Sequence, residues 1–96
     1  MIRELNIALI GCGNWGKNIA RNLHQMGVLA CIYDSNTKLS GKLNYHYSLP
    51  TLELNEIFKD TNINAIVIAS PAITHKDMAI EALNNDKDVF LSLIHI

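Results

Sequence analysis

Three glycines set between an apolar run and an amphipathic stretch constrain this chain more than any other feature. Asn6-Ile7-Ala8-Leu9-Ile10 stops at Gly11, and Gly11-Cys12-Gly13-Asn14-Trp15-Gly16 leads into a segment of helical periodicity. The length and isoleucine content of the run suit a strand buried on both faces, as in a parallel sheet. From Trp15 the apolar residues Trp15, Ile19, Leu23 and Met26 recur at helical spacing, with Lys17, Asn18, Arg21 and Asn22 on the other faces. Gly27 stands where a left-handed residue ends a helix. Val28 to Tyr33 is a second apolar run, closed by Asp34-Ser35-Asn36-Thr37. Strand, helix and strand together take about thirty residues, the length a parallel crossover needs.

In that setting each glycine has a physical task. Gly11 permits the tight turn out of the strand. Gly13, with no Cβ, lets a pyrophosphate approach the backbone, and Gly16 lets the helix lie close to the strand. The helix N-terminus offers free N–H groups and a partial positive charge to phosphates. Asp34 ends the second strand, 18 residues after Gly16. A carboxylate there accepts hydrogen bonds from both hydroxyls of an adenosine ribose and repels a 2′-phosphate. Ser35 and Asn36 supply no cation for such a phosphate, and Lys38 is the nearest. The expected coenzyme is therefore NAD rather than NADP.

The middle of the chain is less regular. Lys38 to Leu43 reads as a short helix weakened by Gly41, and Tyr45-His46-Tyr47 as a short strand. Leu49 to Lys59 reads as a helix with Pro50 at its start and Leu52, Ile57 and Phe58 inward. Ala65-Ile66-Val67-Ile68-Ala69 is another buried-strand run, broken by Ser70-Pro71. Ser70-Pro71-Ala72-Ile73-Thr74-His75 leaves that strand at the switch point, where ligands bind in open α/β sheets. It reads equally as a turn followed by a helix capped by Thr74. His75 to Asn84 is helical, with Met78, Ala79, Ala82 and Leu83 on one face, and Asp88-Val89-Phe90 begins a further strand. The alternation implies a doubly wound parallel α/β sheet of about five strands in the order 3-2-1-4-5.

The run from Ala65 to Pro71, Thr74-His75, then Ala79, Ala82-Leu83 and Val89-Phe90, resembles the Gfo/Idh/MocA family. The resemblance covers about Asn6 to Phe90. It implies the N-terminal NAD-binding Rossmann domain of an oxidoreductase. Gly11 to Gly16, Asp34 and Ser35 would hold the dinucleotide, and Ala69, Ser70, Pro71 and His75 would lie near its nicotinamide end. Gly13-Asn14-Trp15-Gly16-Lys17-Asn18 with Arg21-Asn22 is similar to members acting on nucleotide-linked N-acetylated sugars. A sugar or nucleotide-sugar substrate and a homo-oligomeric parent protein are expected.

The sequence departs from the family pattern at three places. Ser70 stands where Thr is commoner, and Asn85 where Gly commonly ends the helix before Lys87. After Phe90 the family continues with one residue and then Glu-Lys-Pro, whereas this chain has Ser92, Leu93 and Ile94 at those positions. The family's lysine there touches substrate. Residues 1–90 are thus expected to be an incomplete dinucleotide-binding domain, catalytically inactive by itself. Residues 91–96 are expected to be a non-native, adapter-derived tail, since Leu-Ser-Leu-Ile-His-Ile is what CTG-TCT-CTT-ATA-CAC-ATC encodes. A dinucleotide- or CoA-binding module without chemistry is the alternative.

Composition narrows the remaining choices. Of the 96 residues, 49% are hydrophobic and 18% charged, enough for one core and too few for two domains. Eight basic and nine acidic side chains are spread along the sequence, so neither nucleic acid nor a membrane surface is an expected partner. No apolar run approaches the roughly 20 residues of a bilayer span, and a cytoplasmic location is expected. Cys12 and Cys31 have no metal or redox spacing, and His24, His46, His75 and His95 form no ligand pattern, so no metal is expected.

Overall fold

A computed structural model describes residues 5–11, 14–69 and 75–91. The elements run β1 (Ile7–Ile10), α1 (Asn14–Gln25), β2 (Leu29–Tyr33), α2 (Thr37–His46), α3 (Leu54–Lys59), β3 (Ala65–Ile68), α4 (His75–Asn84) and β4 (Asp88–Leu91). Among the described residues the sheet has four strands in the order β2-β1-β3-β4, every pair parallel. This is the expected order with its third strand missing.

Alternation along each strand divides the interior into two layers. Ala8, Ile10, Cys31, Ile66 and Ile68 face a layer completed by Ile57 and Phe58 of α3 and Ala82 of α4. Leu9 and Ile32 face the opposite layer, with Ala20 of α1 and the half-buried Leu39 and Leu43 of α2. Helices therefore cover both faces, the doubly wound arrangement that near-continuous apolar strands require. Each large side chain so buried contributes about 1.5–3 kcal/mol.

The expected strand at Tyr45–Tyr47 is not formed. Tyr45 and His46 complete α2, and Tyr47 is its C-cap. Two local contacts account for this. Asn36 caps the helix start, its side chain accepting from the Leu39 N–H. Buried Asn44 then occupies the outer margin of β2: its Oδ1 accepts from the Ile32 N–H at 2.9 Å, and its Nδ2 donates to the Ile32 carbonyl at 2.8 Å. A side-chain amide thus takes the two bonds that a further strand would have made with Ile32.

The helix expected from Leu49 begins instead at Leu54, so Pro50 lies outside it. The Glu53 N–H donates to the Glu56 carboxylate at 2.9 Å, a capping interaction that sets the start four residues after the proline. Ile57 and Phe58 are buried as expected, and Leu52 packs against the same layer.

Three helices end alike. Gly27, Ser48 and Asp86 have positive φ of 75°, 58° and 60°. The next N–H in each case, from Val28, Leu49 and Lys87, reaches back to the carbonyl of Leu23, Asn44 and Ala82. That is the Schellman closure. In α4 the left-handed residue is Asp86 rather than the expected Asn85. These endings also move two side chains expected inside: Met26 falls in the turn after α1 and is 67% exposed, and Leu83 is 60% exposed beside buried Ala82. Lys87, only 4% exposed, ties the loop before β3 to the start of β4 by donating from Nζ to the carbonyls of Asp60 and Ile63.

Candidate functional site

The segments singled out in the sequence leave three neighbouring strands at one level. Ile10 is in register with Tyr33 on one side and Ile68 on the other. Beyond the ladder, the Gly11 N–H donates to the Tyr33 carbonyl, and the Ala69 N–H donates to the Ile10 carbonyl, each at 2.7 Å. Gly11, Asp34 and Ala69 are therefore the first residues past the carboxyl ends of β1, β2 and β3. This is the crevice position for ligands in open α/β sheets.

Gly11 is buried and has φ +96°, a conformation that residues with a Cβ rarely adopt. Glycine is needed there to turn the chain towards α1. Asn14 and Trp15 lie in the first turn of α1, so that helix starts above the strand ends with its N–H groups and positive dipole end. Gly16 is buried and lies one turn before buried Ala20, on the side of α1 that faces the sheet. His75 opens α4 after β3. Cys12, Gly13, Ser70, Pro71 and Thr74 lie outside the described residues.

Asp34 is half-buried, and its Oδ1 accepts from the Asn36 N–H at 2.8 Å. Asn36 in turn caps α2, so one short turn fixes both the carboxylate and the helix start. Ser35 is exposed at the same turn. In the sequence Asp34 and Ser35 read as dinucleotide contacts, whereas Asn36 reads only as part of the polar close of β2 that supplies no cation. The Asx-turn and N-cap preferences of Asp and Asn were the signal for this positioning role of Asn36.

Cys31 lies on β2, two residues before Tyr33, and is fully buried. Burial, with a smaller contribution from the charge of Asp60, pushes its thiol up to about 12. It stays a neutral thiol at ordinary pH, unsuited to nucleophilic chemistry. Among the described residues no group of three or more His, Cys, Asp or Glu side chains could hold a metal ion, and no helix is long and apolar enough to cross a membrane.

Comparison with known proteins accords with this geometry. Residues 5–92 match the family described as "Oxidoreductase family, NAD-binding Rossmann fold", Gfo/Idh/MocA. The chain is 26% identical over 90 residues to the 2,7-anhydro-N-acetylneuraminate hydratase of Escherichia coli, covering 90% of this chain and 23% of that protein. It is 30% identical over 78 residues to the redox-sensing transcriptional repressor Rex of Carboxydothermus hydrogenoformans, covering 77% of this chain and 38% of the other. Among solved structures, the WlbA dehydrogenase of Bordetella pertussis in complex with NADH and UDP-GlcNAcA superposes with a TM-score of 0.82 at 26% identity, over 94% of this chain and 28% of that one. The chain thus spans roughly a quarter to two fifths of the length of these relatives.

Proposed function

Because this chain belongs to the Gfo/Idh/MocA oxidoreductase family, we propose that its strand-end crevice binds NAD and that the protein it forms part of oxidises or reduces a sugar or nucleotide sugar. The observation that carries the reading is the juxtaposition of Gly11, Asp34 and Ala69 on three hydrogen-bonded strand ends beneath the start of α1. A loop with no Cβ at Gly11 and Gly13, next to free helix N–H groups, suits a pyrophosphate. The Asp34 carboxylate suits the two hydroxyls of a ribose and disfavours a 2′-phosphate. Ala69, Ser70, Pro71 and His75 follow the switch point and border the nicotinamide end.

A nicotinamide ring supplies hydride transfer, and this chain's residues bind and orient it. Holding hydride donor and acceptor carbons about 3–3.5 Å apart supplies roughly 7–11 kcal/mol of barrier reduction, and a second domain would provide the wall that does so. In this reading residues 1–90 are the coenzyme-binding part, residues 91–96 are a non-native tail whose first residue, Leu91, extends β4, and the 96-residue chain binds NAD without catalysing turnover. Leu93 stands where the family has its substrate-contacting lysine.

Fluorescence titration with NADH and NADPH tests the coenzyme assignment. NADH should bind about tenfold or more tightly, since one charged hydrogen bond and a carboxylate–phosphate repulsion separate the two. Asp34→Ser should close that gap, and an unchanged ratio would remove the role given to Asp34. Gly13→Val should abolish binding of either dinucleotide while leaving the fold intact.

The match to a transcriptional repressor favours a second reading, a redox-sensing module that binds the dinucleotide without chemistry. The native codons after Phe90 discriminate. Glu-Lys-Pro followed by a sheet-containing domain is the enzyme, and any other continuation favours the sensor.

A further inference from the structure

Between α1 and α2 lies a groove of about 650 Å³. None of its lining residues belongs to the coenzyme crevice. Leu39 and Leu43 line it and pack against the core. Tyr47 is fixed by two imidazoles, with the His24 ring 4.6 Å away and the His46 ring 4.8 Å away. Tyr45 also lines the groove and is 88% exposed, the most exposed large apolar side chain described. The charged side chains of the lining are Lys17 from α1 and Lys42 from α2, with His46 beside them.

The charge around the groove is one-sided. Neither α1 nor α2 contains an acidic residue, and the only one between Gly11 and Leu52 is Asp34, which accepts from the Asn36 N–H. Acids are concentrated instead in the later half of the chain, where Glu53, Glu56, Asp60, Asp77, Glu81, Asp86 and Asp88 lie. The two-layer fold puts α3 and α4 on the opposite face of the sheet from α1 and α2. The fold thus sets the acid-rich later helices on one face of the sheet and leaves the groove side, Asp34 apart, basic.

We propose that the α1–α2 groove is a binding site for a small aromatic anion, separate from the coenzyme crevice. The volume lies within the roughly 300–1,000 Å³ of pockets that take small organic ligands. An inorganic anion would leave most of it unfilled and gain nothing from the leucines and tyrosines. A neutral aromatic would leave both ammonium groups without a counter-charge. A planar ring bearing a phosphate, sulfonate or carboxylate meets both demands, stacking on the tyrosine rings with its charge towards Lys17 and Lys42.

The probe is 1-naphthyl phosphate, titrated into the 96-residue chain by calorimetry and by amide NMR shifts. Binding should move the amide signals of α1 and α2 and persist unchanged in saturating NAD. Neutral 1-naphthol should bind at least tenfold more weakly. The Lys17→Gln/Lys42→Gln double variant should weaken naphthyl phosphate at least tenfold. Tyr45→Ala, at a position too exposed to affect folding, should weaken it several-fold. Displacement by NAD, equal affinity for naphthol, or wild-type affinity in the double variant would each overturn the proposal. Loss of NAD binding in Gly13→Val should leave the groove unaffected, so the two sites fail independently.

Discussion

Replacing Asn44 by alanine removes the partners of both the N–H and the C=O of Ile32, a fully buried residue on an outer strand. A buried polar group left unpaired costs about 1–3 kcal/mol. Asn44→Ala should therefore lower the unfolding free energy by about 2–4 kcal/mol in urea denaturation, with the slope unchanged. Asn44→Asp keeps the acceptor and loses the donor, so it should be destabilising too. Cys31 makes a different prediction, in pH. Its thiol titrates at about 12 in the folded chain against 9.0 ordinarily. Above pH 9 the unfolded chain releases this proton while the folded chain keeps it. The stability held below pH 9 should therefore fall progressively towards pH 12. Cys31→Ala should flatten that fall, and an alkaline melting series on both proteins measures it.

At the scale of elements, the left-handed residues give paired expectations. Ser48 carries φ 58° with a side chain that favours other conformations. Ser48→Gly should raise stability by about 0.5–1 kcal/mol, relief of left-handed strain exceeding the entropy cost of glycine. Gly27 has open space around its missing Cβ. Gly27→Ala should thus cost only the strain, about 1 kcal/mol, in the same thermal assay. These turns also show what could be read beforehand. Gly27 marked its helix end because glycine adopts that φ freely, whereas Ser48 does so against its own preference and gave no signal. β1, α1, β2, β3 and α4 were legible, since each pairs an apolar period with a Gly, Pro, Asn or Asp stop, and β4 was legible from its apolar run after Asp88. Lys38–Leu43 was legible as a helix, but residues 44–53 were not, because individual side-chain contacts decide them, Asn44 with Ile32 and Glu56 with the Glu53 N–H. Asn44 draws α2 onto Ile32, and nothing in Lys38–Tyr47 alone shows that an asparagine will stand in for a strand. Gly11, Asp34 and Ala69 lie just past three strand ends and Gly16 on the sheet side of α1, positions legible from the apolar runs and the helical period that flank them. Asn36 and Lys87 escaped notice because their partners are backbone groups, which the sequence does not display.

At the scale of the molecule, four strands and two helical layers enclose the core among the described residues, which end at Leu91. Deleting residues 92–96 should leave the melting temperature within a few degrees of the parent chain. A loss above about 2 kcal/mol, the contribution of one well-buried large side chain, would mean that the segment is a native part of the core. The Asn44 clamp has a further consequence, in the order of assembly. A sheet with two bare margins offers every later segment a choice of sides, and therefore a chance of docking on the wrong one. Here the β2 margin is occupied at Ile32 by a residue only twelve positions downstream, so the contact closes a short loop that needs neither β3 nor β4. The strands later in the chain lie on the other side, β3 beside β1 and β4 beside β3.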